Sequence, residues 1–524
     1  MRICWSHCVC ALALCVAGCA QVNPQVDYDR VKQNIHDTTG QITAYGPNDE
    51  ALATEQVNSL LHNGLSVEDA VRVALLNNPS LQAGFFRVGM SRADFVQSGL
   101  FSNPSLAMSF AFPEGGGRSN IQGTLAQNIV DLWQIPIRKR IAKARLDQEV
   151  LSLSQQAARL VVDTKVAYYV SVGASRNQEI AEANLKLATG LLETTLARQK
   201  AGTIGELDVN LARGTVLNNE LDVQTARLDA ANARRRLAVL LGLTVRADDM
   251  QLTDPLPDIS MSVLNEDSIV ELARSSRLDL KASHAAVAAG RQRVTEEYAK
   301  IFPDISIGGY LERTERRALP GRDVLADTAR ASVAAGQLTA PEIQSKGQRD
   351  QERRQEIDVI FGPALNMTLP IFDQNQAQIA KAGYAYQAAL KELVALDRLI
   401  VQEARRALDQ AATAAKLAHL YHEKILPQAQ RNLDLGTASY KSGNTSILLV
   451  LEAQRSLLAT RRLAVTAQQT AATTLADVEL VVGRPWSVIA AQPFPSSHPS
   501  PSSQPVTDEL LETRTISIRT ELKQ

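Results

Sequence analysis

The chain has 524 residues, with 55 lysines and arginines against 56 aspartates and glutamates and a formal charge of −1. That balance excludes a global polyelectrolyte partner, so no nucleic acid is expected. Aromatics make up only 4%, which is low for a large globular core and ordinary for Ala- and Leu-rich helical packing. Past the first residues no apolar run reaches the roughly 20 residues of a transmembrane helix, so any membrane crossing falls to strands in a closed barrel.

All five cysteines, Cys4, Cys8, Cys10, Cys15 and Cys19, lie at the start. Arg2, the apolar stretch from Cys8 to Ala17 and the sequence Val16-Ala17-Gly18-Cys19 predict a lipoprotein signal peptide over 1–18. Cleavage after Gly18 leaves Cys19 as an acylated first residue, and Ala20 fits delivery to the outer membrane. An ordinary secretory signal is the other reading. Either leaves a mature chain with at most one thiol and no internal disulfide. Multiple acyl chains, palmitate among them, supply the second anchor that stable membrane attachment requires.

Residues 19–60 are polar and weakly patterned and read as an extended lead. A helix begins at the N-cap Ser66 with Asp69 three residues on, breaks at Asn78-Pro79, and resumes from Leu81 to Gly99. Its counterpart runs from about Asn265 to Lys300. Leu106, Met108, Phe110 and Phe112 then alternate with small residues, and after Gly115-Gly116-Gly117 the return strand carries Ile121, Gly123, Leu125 and Gln127. The same alternation recurs at Ile305, Ile307, Gly309 and Leu311, and again at Leu365, Met367 and Leu369. Two hairpins give four strands per chain, apolar on one face and small or polar on the other, the pattern of a membrane barrel with a wet lumen.

From about Pro136 to Lys200 only Gly173 interrupts a helical pattern, and Leu146, Val150, Leu153, Ala157, Leu160, Thr164 and Ala167 form a coiled-coil seam. About 65 residues span roughly 100 Å. The stretch from about Asn375 to Lys441 matches it, with a kink expected at Pro427. Returning helices are predicted over Leu207 to Leu241 and Ile447 to Val482.

Much of this is said twice, about 240 residues apart. Leu125-Ala126-Gln127-Asn128-Ile129-Val130-Asp131 answers Met367-Thr368-Leu369-Pro370-Ile371-Phe372-Asp373, and Ile141-Ala142-Lys143-Ala144 answers Ile379-Ala380-Lys381-Ala382. Lys200-Ala201-Gly202-Thr203 likewise answers Lys441-Ser442-Gly443-Asn444. The repeats are bounded at 61–258 and 259–488. A charged insertion over 312–358 and a Pro/Ser-rich tail over 489–524, expected to be disordered, stand outside the pattern. The fold class is thus mainly α with β, an internally repeated set of long helical hairpins carrying four amphipathic strands.

Ile425-Leu426-Pro427, Tyr440-Lys441-Ser442-Gly443 and Leu448-Leu449-Val450-Leu451-Glu452-Ala453-Gln454 resemble the TolC-type outer-membrane factor family, over nearly all of Leu65 to Pro485. Gly362-Pro363 with Leu369-Pro370-Ile371-Phe372-Asp373-Gln374-Asn375-Gln376 is similar to the lipoprotein branch serving heavy-metal and related resistance-nodulation-division (RND) pumps, although the first copy has Asn128 where the second has Pro370. The resemblance implies a homotrimer whose strands close one barrel of about twelve, wide enough for a channel. It also implies a periplasmic tunnel, a passive efflux duct in the outer-membrane lipid, a periplasmic membrane-fusion adaptor and an inner-membrane RND-type pump. The adaptor would dock at the tip turns Gly202, Thr203, Gly443 and Asn444. By motif position, Asp208 and Tyr440 match residues whose hydrogen bond holds the tip closed, and Glu452 matches an acidic ring at the constriction, with Glu206 nearby. Asp208 and Glu206 also suit a helix N-terminus on general grounds.

No glycine-rich phosphate loop, nucleophile motif or Cys/His cluster appears after the signal, so the chain is read as a conduit without enzymatic activity, cofactor or metal site. His419 and His422 with Glu423 offer too few ligands for a metal centre. The rival readings are a type I protein-secretion duct of the same fold and a coiled-coil surface lipoprotein without a pore.

Overall fold

The computed structural model describes residues 21–62, 64–112, 119–244, 250–259, 265–315, 332–336 and 357–491. Cys19, the signal over 1–18, the Gly115 turn, most of the 312–358 insertion and nearly all of the tail lie outside these residues. Four short helices open the described residues: α1 (Gln25–Thr39), α2 (Glu50–His62), α3 (Val67–Asn77) and α4 (Pro79–Gln97). The lead is therefore not extended. Tyr28, Val31, Ile35 and Thr38 are all buried, a three-four spacing that puts one face of α1 against the body. Gly40, at φ 75°, ends that helix. The predicted cap at Ser66 is present, its hydroxyl accepting from Asp69 N at 3.1 Å.

Strands β1 (Ser105–Ala111) and β2 (Asn120–Asn128) lead into α5 (Asp131–Lys200), a single helix of 70 residues and thus about 105 Å long. Its return is α6 (Glu206–Leu240). The second half runs in the same order. Helices α7 (Glu266–Ser276) and α8 (Leu278–Ala299) precede strands β3 (Ile305–Glu315) and β4 (Ile357–Met367). Then come α9 (Gln376–Leu420), a π-helical turn at Tyr421–Ile425, α10 (Leu426–Lys441), the return helix α11 (Ile447–Val482) and the short α12 (Trp486–Ala490). The charged-insertion boundaries need correction. Glu312–Glu315 belong to β3 and Ile357–Asp358 to β4, in continuous register from Glu312↔Ile360 to Glu315↔Ile357. The charge of Glu312 is met within the sheet, by amides of Asn120 at 3.4 Å and Gln122 at 3.0 Å.

The expected seam on α5 is buried at Leu146, Val150, Leu153, Ala157, Leu160 and Thr164. It packs into a layer made by α1, α3 and α4 together with Leu237 and Leu241 at the end of α6, so it is not a two-stranded coiled coil. The corresponding core of the second half joins α7 to Ile400, Ala404, Leu408 and Ala411 of α9 and to Val478 and Val482 of α11. Each layer is closed by polar caps. Asn77 and Asn78 amides donate to Leu240, Leu241 and Gly242 carbonyls at the end of α6. Arg277, between α7 and α8, reaches Asp279, Glu403 and the carbonyl of Val481.

Candidate functional site

The residues singled out from the sequence fall at two places on this scaffold: the sheet at one end of the long helices and the turns at the other. The sheet has the order β1-β2-β3-β4, antiparallel throughout. Its register sorts side chains by face, because directly opposed residues point the same way. One face collects Leu106, Met108, Phe110, Ile121, Leu125, Ile307, Leu311, Phe361, Leu365 and Met367. The other collects Ser105, Ser109, Gln122, Thr124, Ser306, Glu312 and Asn366, with alanines and glycines; Tyr310 and Ile360 also lie on this face, and Gln127 and Arg313 on the apolar one. The apolar face is open: Leu106, Phe110, Phe361 and Leu365 are each more than half exposed. Among the described residues β1 and β4 have free edges. A further row of exposed apolar side chains, Phe101, Leu132, Phe302, Leu369, Ile371 and Phe372, marks where the strands meet the helices.

Buried carboxylates fasten those junctions. Asp131, 5% exposed, accepts Ser102 N and Oγ at 2.7 Å each and Arg138 Nη2 at 2.6 Å. Burial pushes its carboxyl up, but the Ser102 bonds and Arg138 outweigh this and hold it below its ordinary value. Glu297 serves the second half, accepting from Asn375 Nδ2 at 2.8 Å and Lys300 Nζ at 2.9 Å. Its carboxyl is also lowered, burial being overcome by Asn375 and Lys300.

At the opposite end both long helices stop in the same way. Gly202 and Gly443 take left-handed φ of 75° and 84°. Thr203 N donates to Arg198 O at 3.1 Å, and Asn444 N donates to Ser439 O at 3.0 Å. These six-to-one bonds are the Schellman closure that a glycine just past a helix end permits. Tyr440, on the last turn of α10, is 2% exposed in a cluster with Ala212, Ile447, Val450 and Leu451. The structure does not join it to Asp208. The Tyr440 hydroxyl is buried without a hydrogen-bond partner, and no bond joins Asp208 to it among the described residues. Asp208 is half-buried and Glu206 exposed, both in the first turn of α6, where acidic groups meet the positive helix end. Glu452 is exposed on α11, beside exposed Leu448 and Leu449.

What does hold Tyr440 is Arg198, which the sequence reading passed over. Arg198 Nη1 donates to Tyr440 O at 2.7 Å, and the guanidinium carbon lies 4.5 Å from the tyrosine ring centroid. The local sequence offered no signal for this pair, since 242 positions separate the two residues. Elsewhere His419 Nε2 and Glu423 pair at 3.0 Å along the helix. Among the described residues no group of three or more metal-ligating side chains is assembled, and no helix is long and apolar enough to cross a membrane.

Comparison with known proteins gives this geometry its context. Nodulation protein T of Rhizobium leguminosarum bv. trifolii is 23% identical over 353 residues, which is 67% of this chain and 68% of that protein. The cobalt-zinc-cadmium resistance protein CzcC of Cupriavidus metallidurans is 24% identical over 296 residues, covering 54% of this chain and 59% of CzcC. The CmeC outer membrane channel of Campylobacter jejuni has the same fold, with a TM-score of 0.63 at 17% identity over 80% of this chain and 85% of that one. Residues 269–484, from α7 through the end of α11, match the family described as outer membrane efflux protein.

Proposed function

We propose that three copies of the chain form the outer-membrane channel of a tripartite efflux system, a passive duct for small toxic solutes. The face-sorted sheet with two free edges carries this reading. Four strands cannot close, eight leave a filled interior, and twelve leave a lumen. Closure puts the apolar face on lipid and the small, polar face on water, and the exposed Phe101, Phe302 and Phe372 suit the interface belt. The helices of about 105 Å then form a periplasmic tunnel.

Gly202, Thr203, Gly443 and Asn444 dock the periplasmic membrane-fusion adaptor, which delivers solute from an inner-membrane RND-type pump. Three copies of Glu452, with Glu206 nearby, line the constriction and favour cations. Acylated Cys19 anchors the assembly. Arg30 pairs with Asp147 and Asn34 with Ser154, so α1 runs parallel to α5 with its start toward the sheet. The RND-associated motif Phe372-Asp373-Gln374-Asn375 and the likeness to CzcC point to metal cations or organic toxicants as cargo.

The test is a purified full-length protein that runs as a heat-modifiable trimer and conducts in single-channel recordings. A monomer inactive in bilayers would leave a surface lipoprotein. Deleting the gene should raise susceptibility to part of a panel of metal cations and organic toxicants. Unchanged susceptibility with loss of a secreted protein would move the reading to protein secretion.

A further inference from the structure

Polar ties join the first helical hairpin to the second at intervals along the body. Lys165 pairs with Glu479 at 2.5 Å, Arg462 with Asp222 at 3.2 Å, and Gln454 Nε2 lies 3.5 Å from Asn184 Oδ1. Arg198 and Tyr440 make a tie of a different kind at the turn end. One cation there meets three demands. Its Nη1 adds a charged donor to a last-turn carbonyl of α10 that otherwise accepts only from the closing turn, at Gly443 N at 3.0 Å. Its charge sits at the negative end of that helix. Its guanidinium covers the face of a ring that is itself 2% exposed, where a cation–π contact is least screened. The Tyr440 hydroxyl makes no bond among the described residues.

We propose that Arg198 is the positioning residue that latches the two hairpin tips together and holds the inner end of the duct shut, acting through the ring and carbonyl of Tyr440. This rests on the reading of that end as the duct's gate. It moves the closing contact from the Asp208–Tyr440 hydrogen bond expected from motif position to a contact between α5 and α10. Opening then requires the guanidinium to leave the ring, and a partner that offers Arg198 a carboxylate would favour the open state by competing for it.

The test uses the full chain with two readouts. The first is the distance between spin labels on Thr203→Cys and Asn444→Cys in detergent, which needs no pore. The second is leak conductance in bilayers. Arg198→Ala should broaden and lengthen the label distance and raise leak roughly tenfold. Arg198→Lys, which keeps the charge and a donor but not the planar fork, should restore most of the closed distance. Tyr440→Leu should reproduce Arg198→Ala, and the double variant should add little to either. Tyr440→Phe keeps ring and carbonyl and should leave both readouts at parent values.

Parent-like distances and leak in Arg198→Ala overturn the proposal, as does tip opening in Tyr440→Phe. A parent that never conducts, but whose tips separate in Arg198→Ala, would overturn the duct and support the latch.

Discussion

Asp131 and Glu297 occupy corresponding joints between strand and helix, and both carboxyls are held below their ordinary values. A carboxylate with a depressed folded pKa stabilises the fold fully above its unfolded value, about 3.9 for Asp and 4.3 for Glu. That stability is lost as pH falls through the lower folded value. Thermal stability of the detergent-solubilised protein should therefore be insensitive to these groups from pH 7 to about 5, and fall below about 4. Asp131→Asn keeps the shape but weakens the bonds from Ser102 and Arg138. It should cost about 2 kcal/mol at neutral pH and flatten the acid limb, read as melting temperature across a pH series. An unchanged acid limb would place the acid-sensitive groups elsewhere. Arg277 makes the complementary case for a buried cation. Its side chain is 10% exposed between Asp279 and Glu403, each 27% exposed. Removing it as Arg277→Met leaves two carboxylates facing each other, with an expected loss of about 2 kcal/mol. Arg277→Lys should recover part of that in the same melting experiment.

Long helices and strands were legible because they repeat a period many times over. The returning helix at Ile447–Val482 falls where its pattern placed it. The lead was misread because its apolar face is thin. Tyr28, Val31, Ile35 and Thr38 have helical spacing, but Asp, Arg, Lys, Gln and Asn fill the positions between them. The kink expected at Pro427 takes the form of a π-helical turn at Tyr421–Ile425 immediately before it. Proline lacks the N–H that would bond four residues back, and one wider turn relieves the conflict. The Arg198 contact was invisible for another reason, since it exists only once two distant tips meet. Gly308 shows what alternation alone cannot reveal. A Cβ there would stand 1.9 Å from Leu125 O and 2.9 Å from Ala126 Cα, both backbone atoms of β2 that have no rotamer to give. Pairing of β2 with β3 joins the two hairpins into one sheet. Gly308→Ala should therefore destabilise this pairing by about 3 kcal/mol and reduce the yield of heat-modifiable protein in outer-membrane fractions. Gly123→Ala, with open space at its Cβ position, should leave that yield unchanged.

Neither half of the chain is a finished object. One half ends in β1 and the other in β4, and among the described residues each offers a free backbone edge that in lipid would leave N–H and C=O groups unsatisfied. The interior of the sheet is already paired at every step from Ser105↔Ala126 to Ile305↔Met367, so the unmet demand lies at the two edges alone. The sorting of faces also sets how it can be met. A neighbouring β1 must add to β4 in a register that keeps Leu106, Met108 and Phe110 on the same side as Phe361 and Leu365, because a slip of one residue would turn every apolar side chain inward. This gives a prediction with an internal control. With Met108→Cys fixed on β1, cysteines placed one at a time along β4 should cross-link between copies at a subset of positions. Those positions should fall on the Val359, Phe361, Leu365 and Met367 face and skip Ile360, Gly362 and Ala364. Oxidised membranes should then show covalent dimers and trimers that dissolve on reduction. Cross-links at adjacent positions of both faces would mean that β1 and β4 do not meet as paired strands. Complete absence of intermolecular product would overturn closure through these edges.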